Sequence, residues 1–162
     1  ISHVTVAQTV ARSGGPINVM PSHATLELDI RTLPGIDDDD VDAAITAALG
    51  DLAQHVTIER LLSEAATASS IDTDLYRAIE AALTQRYPGA SVVPVLFPGG
   101  SDLRVARRLG GIGYGFGAVD SGASLGQVYS QLHAHDEHID LADVRATAEV
   151  LHEVVTTYLT HV

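Results

Sequence analysis

Cysteine is absent, which removes disulfide bridges, thiolate metal sites and a cysteine nucleophile together. Positive charge is scarce: 9 basic residues face 21 acidic ones, for a net charge of −12. A surface of that sign repels phosphate backbones and anionic lipid, so neither nucleic acid nor a membrane surface is expected as a partner. No apolar run approaches the roughly 20 residues that a bilayer-spanning helix needs. A cytoplasmic location is the expectation that fits these absences. The chain also has no initiating methionine. It starts at Ile1, in strand-like sequence, and an N-terminal portion is expected to precede it.

What is present suffices for a packed protein. The 162 residues are 46% hydrophobic, enough for a core in one ordinary domain or two small ones. Val4, Val6 and Val10, with Thr5 and Thr9 between them, alternate loosely at period two up to the turn signal Ser13-Gly14-Gly15-Pro16. Ala24 to Arg31 alternates more clearly, with Leu26, Leu28 and Ile30 on one face and charged residues on the other. The two runs are expected to pair antiparallel. Asp37 to Asp40 lack the spaced ligands and loop glycine of an EF-hand and read instead as the capped, acidic start of a helix. Val41, Ala44, Ile45, Ala48, Leu49 and Leu52 share one helical face, and Val56 to Leu62 reads as a further strand. Strand, strand, helix, strand matches the closing elements of a ferredoxin-like βαββαβ unit that lacks its first strand and helix.

An Ala/Ser/Thr-rich stretch from Ser63 to Ser70 marks a hinge, so residues 1–66 form one expected domain and 67–162 another. In the second, Asp72 is placed to cap a helix carrying Leu75, Ile79 and Leu83 that stops at Pro88-Gly89. Ser91 to Phe97 and Ile112 to Phe116 read as strands. Between them Leu103, Ala106 and Leu109 mark a helix ending at Gly110-Gly111. A final helix from Leu141 to Leu159, capped by Asp140, is expected to bury Val144, Ala148, Leu151, Val155 and Tyr158. This alternation is that of a parallel α/β layer.

Four stretches carry candidate chemistry. Leu132-His133-Ala134-His135-Asp136-Glu137-His138-Ile139 gathers imidazoles and carboxylates. If extended, it sets His133 and His135 on one face, and neutral imidazole beside a carboxylate suits zinc. Taken alone, an acid-flanked solvated loop accounts for it better. Gly99-Gly100-Ser101-Asp102 lies between a strand and a helix, where it serves either as an anion cradle or as a tight turn with Ser101 as N-cap. Arg104 follows in the first helical turn, placed to add a fork to a carboxylate. Asn18-Val19-Met20-Pro21 precedes Arg31; by themselves Asn18 is a turn residue and Arg31 a solvent-facing strand charge. Tyr114-Gly115-Phe116-Gly117 reads as close backbone packing at a strand end, without the arrangement of a dinucleotide fingerprint.

Taken in order, Asn-Val-Met-Pro, Leu-Glu-Leu-Asp-Ile-Arg-Thr-Leu-Pro-Gly, Pro-Gly-Gly-Ser-Asp-Leu-Arg, Gly-Tyr-Gly-Phe-Gly and His-Ala-His-Asp-Glu resemble one family. It is the C-terminal half of the zinc-dependent peptidases and amidohydrolases that include aminoacylase, carboxypeptidase G, acetylornithine deacetylase and succinyl-diaminopimelate desuccinylase. The resemblance runs from Pro16 to Leu159. It implies an α/β fold with an α+β lid: a partial ferredoxin-like dimerisation lid, then the C-terminal part of a parallel or mixed α/β catalytic domain. It also implies a homodimer through the lid, a pair of zinc ions in each complete active site, and hydrolysis of an amide bond in an N-acyl amino acid or small peptide. His133 matches the last zinc ligand of that family, whereas His135 matches a variable position. Arg31 matches the lid arginine that holds the substrate carboxylate. Asn18 matches a substrate-binding asparagine, and Gly100, Ser101 and Arg104 match the loop and helix start that line the substrate pocket.

The departures concern the chemistry itself. The family's His-x-Asp motif, bridging aspartate, Glu-Glu pair with the general base, further acidic ligand and lid histidine have no match here, so no residue is assigned a catalytic role. A catalytic zinc site takes about three protein ligands and an open position. The complete protein is therefore expected to be a metallopeptidase or deacylase, and this chain alone to be inactive and to hold zinc weakly. Two other readings stand beside it. One is a stand-alone dimerisation or ligand-binding module that uses the lid edge and Arg31 without catalysis. The other is an independent metal-binding protein built on His133, His135 and His138.

Overall fold

A computed structural model describes residues 2–160; the strand-like start expected at Ile1 lies outside them. The strands are β1 (Thr5–Ser13) and β2 (Ala24–Arg31). The helices are α1 (Asp38–Leu49), α2 (Asp74–Arg86), α3 (Leu103–Arg108), α4 (Leu125–Gln131) and α5 (Leu141–Thr160), with a 3-10 segment, Gly50–His55, after α1. The chain is thus mixed α/β with a small antiparallel sheet. It divides into two compact units, Ile1–Ala68 with Val95–Gly111, and Ser69–Pro94 with Ile112–Val162.

The first unit is built on local signals. β1 and β2 pair antiparallel from Thr5 opposite Arg31 to Ser13 opposite Ala24, and the register shifts between Gln8 and Val10, a bulge that the alternation of the sequence does not announce. The aspartate run does start α1. Asp37 accepts from the Asp40 N–H at 3.0 Å, and Asp40 reciprocates at 3.1 Å, so the orphan donors of the first turn are met and the acidic residues lie at the positive end of the helix. α3 ends as expected at the glycine pair. Gly110 takes a φ of +83° and Gly111 N–H reaches back to the Ala106 carbonyl at 2.8 Å, a geometry in which a Cβ on Gly111 would stand 2.9 Å from that oxygen.

The expected strand over Val56 to Leu62 is not formed. Arg60 instead ties this stretch to the first turns of α1 through Asp38 (3.1 Å) and Asp42 (2.7 Å), and Ser63 donates to Asp38 at 2.6 Å. A β-prone run becomes a strand only where a neighbour takes up its N–H and C=O groups, and here side-chain ionic contacts hold it elsewhere. Among the described residues α1 does not pack on the hairpin. The leucine face of β2 therefore stays open, with Leu26 52% and Leu28 38% exposed.

The second unit has the buried core: Ile79 and Ala82 of α2 against Ala146, Val150 and Val154 of α5, closed by Ala118. α2 starts one residue later than the expected cap. Thr73 accepts from the Tyr76 N–H at 3.1 Å, while Asp72 pairs with Arg77 at 2.8 Å. The expected stripe of α5 is the wrong one. Asp143, Ala146, Val150 and Val154 are buried, whereas Val144, Ala148, Leu151 and Val155 are exposed. α5 is apolar on more than one side, so periodicity alone cannot choose the buried face. The small Ala146, fully buried, lets α2 approach closely. Ser91 to Phe97 and Ile112 to Phe116 are irregular, and the described residues contain no parallel layer. The second stretch still packs inward: the Tyr114 ring meets Tyr76 edge-on at 5.5 Å, and its hydroxyl lies 2.5 Å from that of Thr73. Among the described residues no helix is long and apolar enough to cross a membrane.

Candidate functional site

Each residue singled out in the sequence can be placed within its own unit. Asn18 is exposed in the turn Pro16 to Val19, closed by a 2.9 Å hydrogen bond from the Val19 N–H to the Pro16 carbonyl. Arg31 is the last residue of β2, at the opposite end of the hairpin. At ~3.3 Å per residue along β2, the hairpin holds the two roughly 20 Å apart. A single copy of the hairpin cannot bring Asn18 and Arg31 to one small ligand.

Arg31, read from the sequence as a solvent-facing strand charge, is held by a neighbour. Nε donates to Asp29 Oδ1 and Nη2 to Oδ2, both at 2.6 Å, a two-pronged pair between residues two apart on the same face of β2. Gly100, Ser101 and Arg104 do come together. The Ser101 hydroxyl accepts from the Leu103 N–H at 3.3 Å and its carbonyl from the Arg104 N–H at 3.1 Å. Arg104 Nη1 passes 3.5 Å from where a Gly100 Cβ would stand, and pairs with Glu64 at 2.9 Å. The phenyl ring of Phe97 lies over Gly99, where a Cβ would sit 2.3 Å from a ring carbon. α3 has only 6 residues, so the turn reading of this loop is favoured over an anion cradle. A shallow hollow of about 380 Å³ on the hairpin, lined by Ala11, Arg12, Ser13, Ala24, Thr25 and Leu26, contains none of these residues.

His133 follows α4, a helix that the Gly/Ser-rich composition hid. Its signal was the capping box Ser124-x-x-Gln127, in which Ser124 N–H donates to the Gln127 side chain at 2.7 Å and Gln127 N–H to Ser124 Oγ at 3.3 Å. The histidine stretch is a chain of turns, not an extended segment, so His133 and His135 do not share a strand face. His133 itself adopts a left-handed φ of 58° and is exposed. His138 Nδ1–H donates to the Asp136 carbonyl at 2.5 Å, which leaves Nε2 to accept from the Gln131 amide at 3.0 Å. Both His138 nitrogens are thereby used.

The loop leading into α4 is pinned from behind by residues that sequence reasoning missed. Asp143 Oδ1 accepts the Asp120 and Ser121 N–H groups at 2.7 and 2.8 Å, and Oδ2 accepts the Ser121 hydroxyl at 2.9 Å. The Ser121 N–H, more than any other neighbour, holds this carboxyl below its ordinary pKa against the opposing effect of burial. Thr147 Oγ1 accepts from the Ala118 N–H at 3.0 Å. Asp120 is gripped by the Arg86 guanidinium, which depresses its pKa, and accepts from the Tyr87 hydroxyl at 2.7 Å; Arg86 also reaches Glu149 at 2.9 Å. A carboxylate on an exposed-looking helix face carried no mark of this role in the sequence.

Hydrolysis of the expected kind needs a metal, and the residues present do not fit one. Among the described residues no group of three or more His, Asp or Glu side chains converges as a metal site. The geometry therefore gives an exposed histidine stretch after α4, and separately a hairpin ending in one oriented guanidinium. In the family comparison, residues 4–157 match the model of peptidase family M20/M25/M40, and the chain belongs to that family. Its function is of peptidase or hydrolase type at family level, and peptidases of this family are generally metal-dependent. Neither the curated proteins nor the solved structures gave a match.

Proposed function

We propose that this chain supplies the substrate-gripping lid (residues 1–66) and the C-terminal catalytic segment (residues 67–162) of a zinc-dependent amidohydrolase. The substrate is an N-acyl amino acid or small peptide whose amide bond is cleaved and whose carboxylate is held by Arg31. The observation that carries the reading is family membership over residues 4–157 by a chain that has the ordered motifs ending in Arg31 and His133. His133 contributes one zinc ligand of a two-zinc site. The family's other ligands and its general base have no match among these motifs, and among the described residues no three donors converge as a metal site.

A homodimer through the hairpin belongs to the same reading. A lone two-stranded hairpin is marginal in water, and among the described residues no third strand pairs with either edge of this one and its leucine face is exposed. Asn18 and Arg31, at opposite ends of one hairpin, serve one substrate when they come from different copies. The cytoplasm is the proposed location.

The test is zinc content and hydrolysis of N-acetyl amino acids, measured on the gene product that contains this chain. His133→Ala is expected to remove most of the activity and one of the bound zinc ions, and His135→Ala to cost far less. Equal losses from the two substitutions would overturn the assignment of His133. Enzyme-like turnover by the isolated chain with added zinc would overturn the division of labour.

A further inference from the structure

The fork between Arg31 and Asp29 uses only one edge of the guanidinium. A guanidinium has two edges able to receive a carboxylate bidentately: the side edge, Nε with Nη2, and the end edge, Nη1 with Nη2. Asp29 occupies the side edge through both oxygens, at 2.6 Å each. Among the described residues Arg31 has no other hydrogen-bonding partner, so the end edge is open. The two residues lie two apart on β2, on one face, opposite Ala7 and Thr5 of β1. Neither facing side chain is charged or large enough to cover the fork.

From this arrangement we infer that Asp29 is a positioning residue for carboxylate binding: it fixes the Arg31 guanidinium by its side edge so that the end edge is presented to the substrate. The inference rests on the proposed role of Arg31 as the carboxylate clamp. An arginine side chain free at the end of a strand must be immobilised when it binds, at an entropic cost; one already held by a fork has met that cost. Arg12 offers a contrast on the same face. It meets Glu27 across the strands through Nη1, an atom of the end edge, and so does not leave that edge clear.

The obvious opposing effect is charge. Asp29 partly neutralises Arg31, and removing its charge would by itself draw anions closer, although salt screens this at so exposed a pair. The two effects predict opposite signs, which makes the experiment decisive. The full chain is titrated with N-acetylglycinate, and with the uncharged N-acetylglycine N-methylamide, while the β1 and β2 backbone amide resonances, which every variant retains, and in the chains that keep Arg31 its Nε–Hε resonance, are followed by NMR. The carboxylate is expected to shift those resonances saturably and the amide not to do so. Arg31→Ala should abolish the binding. Asp29→Asn keeps the shape but loses the second charged prong, and is expected to weaken carboxylate binding about three- to tenfold while cross-strand contacts between β1 and β2 persist. Binding as tight or tighter in Asp29→Asn would overturn the positioning role and leave the clamp standing. Binding indifferent to Arg31→Ala would overturn the clamp and the positioning role with it.

Discussion

The two units use the same hydrophobic vocabulary to different ends. In the second, α2 and α5 press Ile79, Ala82, Ala146, Val150 and Val154 out of solvent, and the irregular stretch ending at Ala118 closes the cluster. In the first, no described side chain is buried: the hairpin, α1 and the segment after it are held by cross-strand hydrogen bonds, a capping box and ion pairs, while Val6, Leu26 and Leu62 stay 58%, 52% and 81% exposed. The lesson is energetic. Exposed ion pairs contribute within about 1 kcal/mol each, whereas burying one aliphatic side chain contributes about 1.5–3 kcal/mol. The second unit has its own source of stability. The first keeps its apolar surface exposed among the described residues.

The comparison is tested most severely by truncating one side chain on each side. Ile79→Ala is expected to destabilise the second unit by about 2–5 kcal/mol in denaturant unfolding, because it removes buried methyl groups and leaves a cavity beside Ala146 and Val150. Leu28→Ala in the first unit should change stability by only about 0.5 kcal/mol. A large loss from Leu28→Ala would show that the leucine face is covered in solution and would break the contrast.

Acid should act on the second unit next. The folded-state pKa values of Asp143 and Asp120 both lie below the ordinary carboxyl value. A depressed folded pKa gives stability that is fully present above the unfolded value and is lost as pH falls through it toward the folded value. Unfolding of the second unit, followed by circular dichroism, is therefore expected to be flat near neutrality and to become easier below about pH 4. Asp143→Asn should remove part of that slope and leave the part due to Asp120. An unchanged slope would mean that the Asp143 anchor is not formed in solution.

The smallest effect sharpens the picture of the first unit. Asp37→Ala removes one half of a capping box and is expected to cost about 1 kcal/mol, read as lost helicity in α1. Because the described α1 does not lean on the hairpin, protection of the β1–β2 hydrogen bonds from hydrogen exchange should not change. A parallel loss of hairpin protection would reveal packing between the two elements.

The sequence by itself determined whatever is decided by neighbours a few residues away. The alternation in Ala24 to Arg31 announced β2, the aspartate run announced the start of α1, Gly110-Gly111 announced the end of α3, and Asp140 announced the start of α5. Ser124-x-x-Gln127 carried the same kind of local signal for α4, but the reading of the sequence missed that helix among its glycines and serines. The resemblance to the family was also legible, and the family match bears it out. Tertiary structure alone decided which of the two apolar stripes of α5 would be buried, because the small Ala146 permits close approach of α2 along the stripe of Val150 and Val154. It alone decided that Val56 to Leu62, Ser91 to Phe97 and Ile112 to Phe116 would stay out of the sheet, since a strand exists only where a second one accepts its hydrogen bonds. And it alone decided that Arg31 points with one edge held by Asp29 and the other open, because the direction of a long side chain is set by the groups that the fold brings within reach of it.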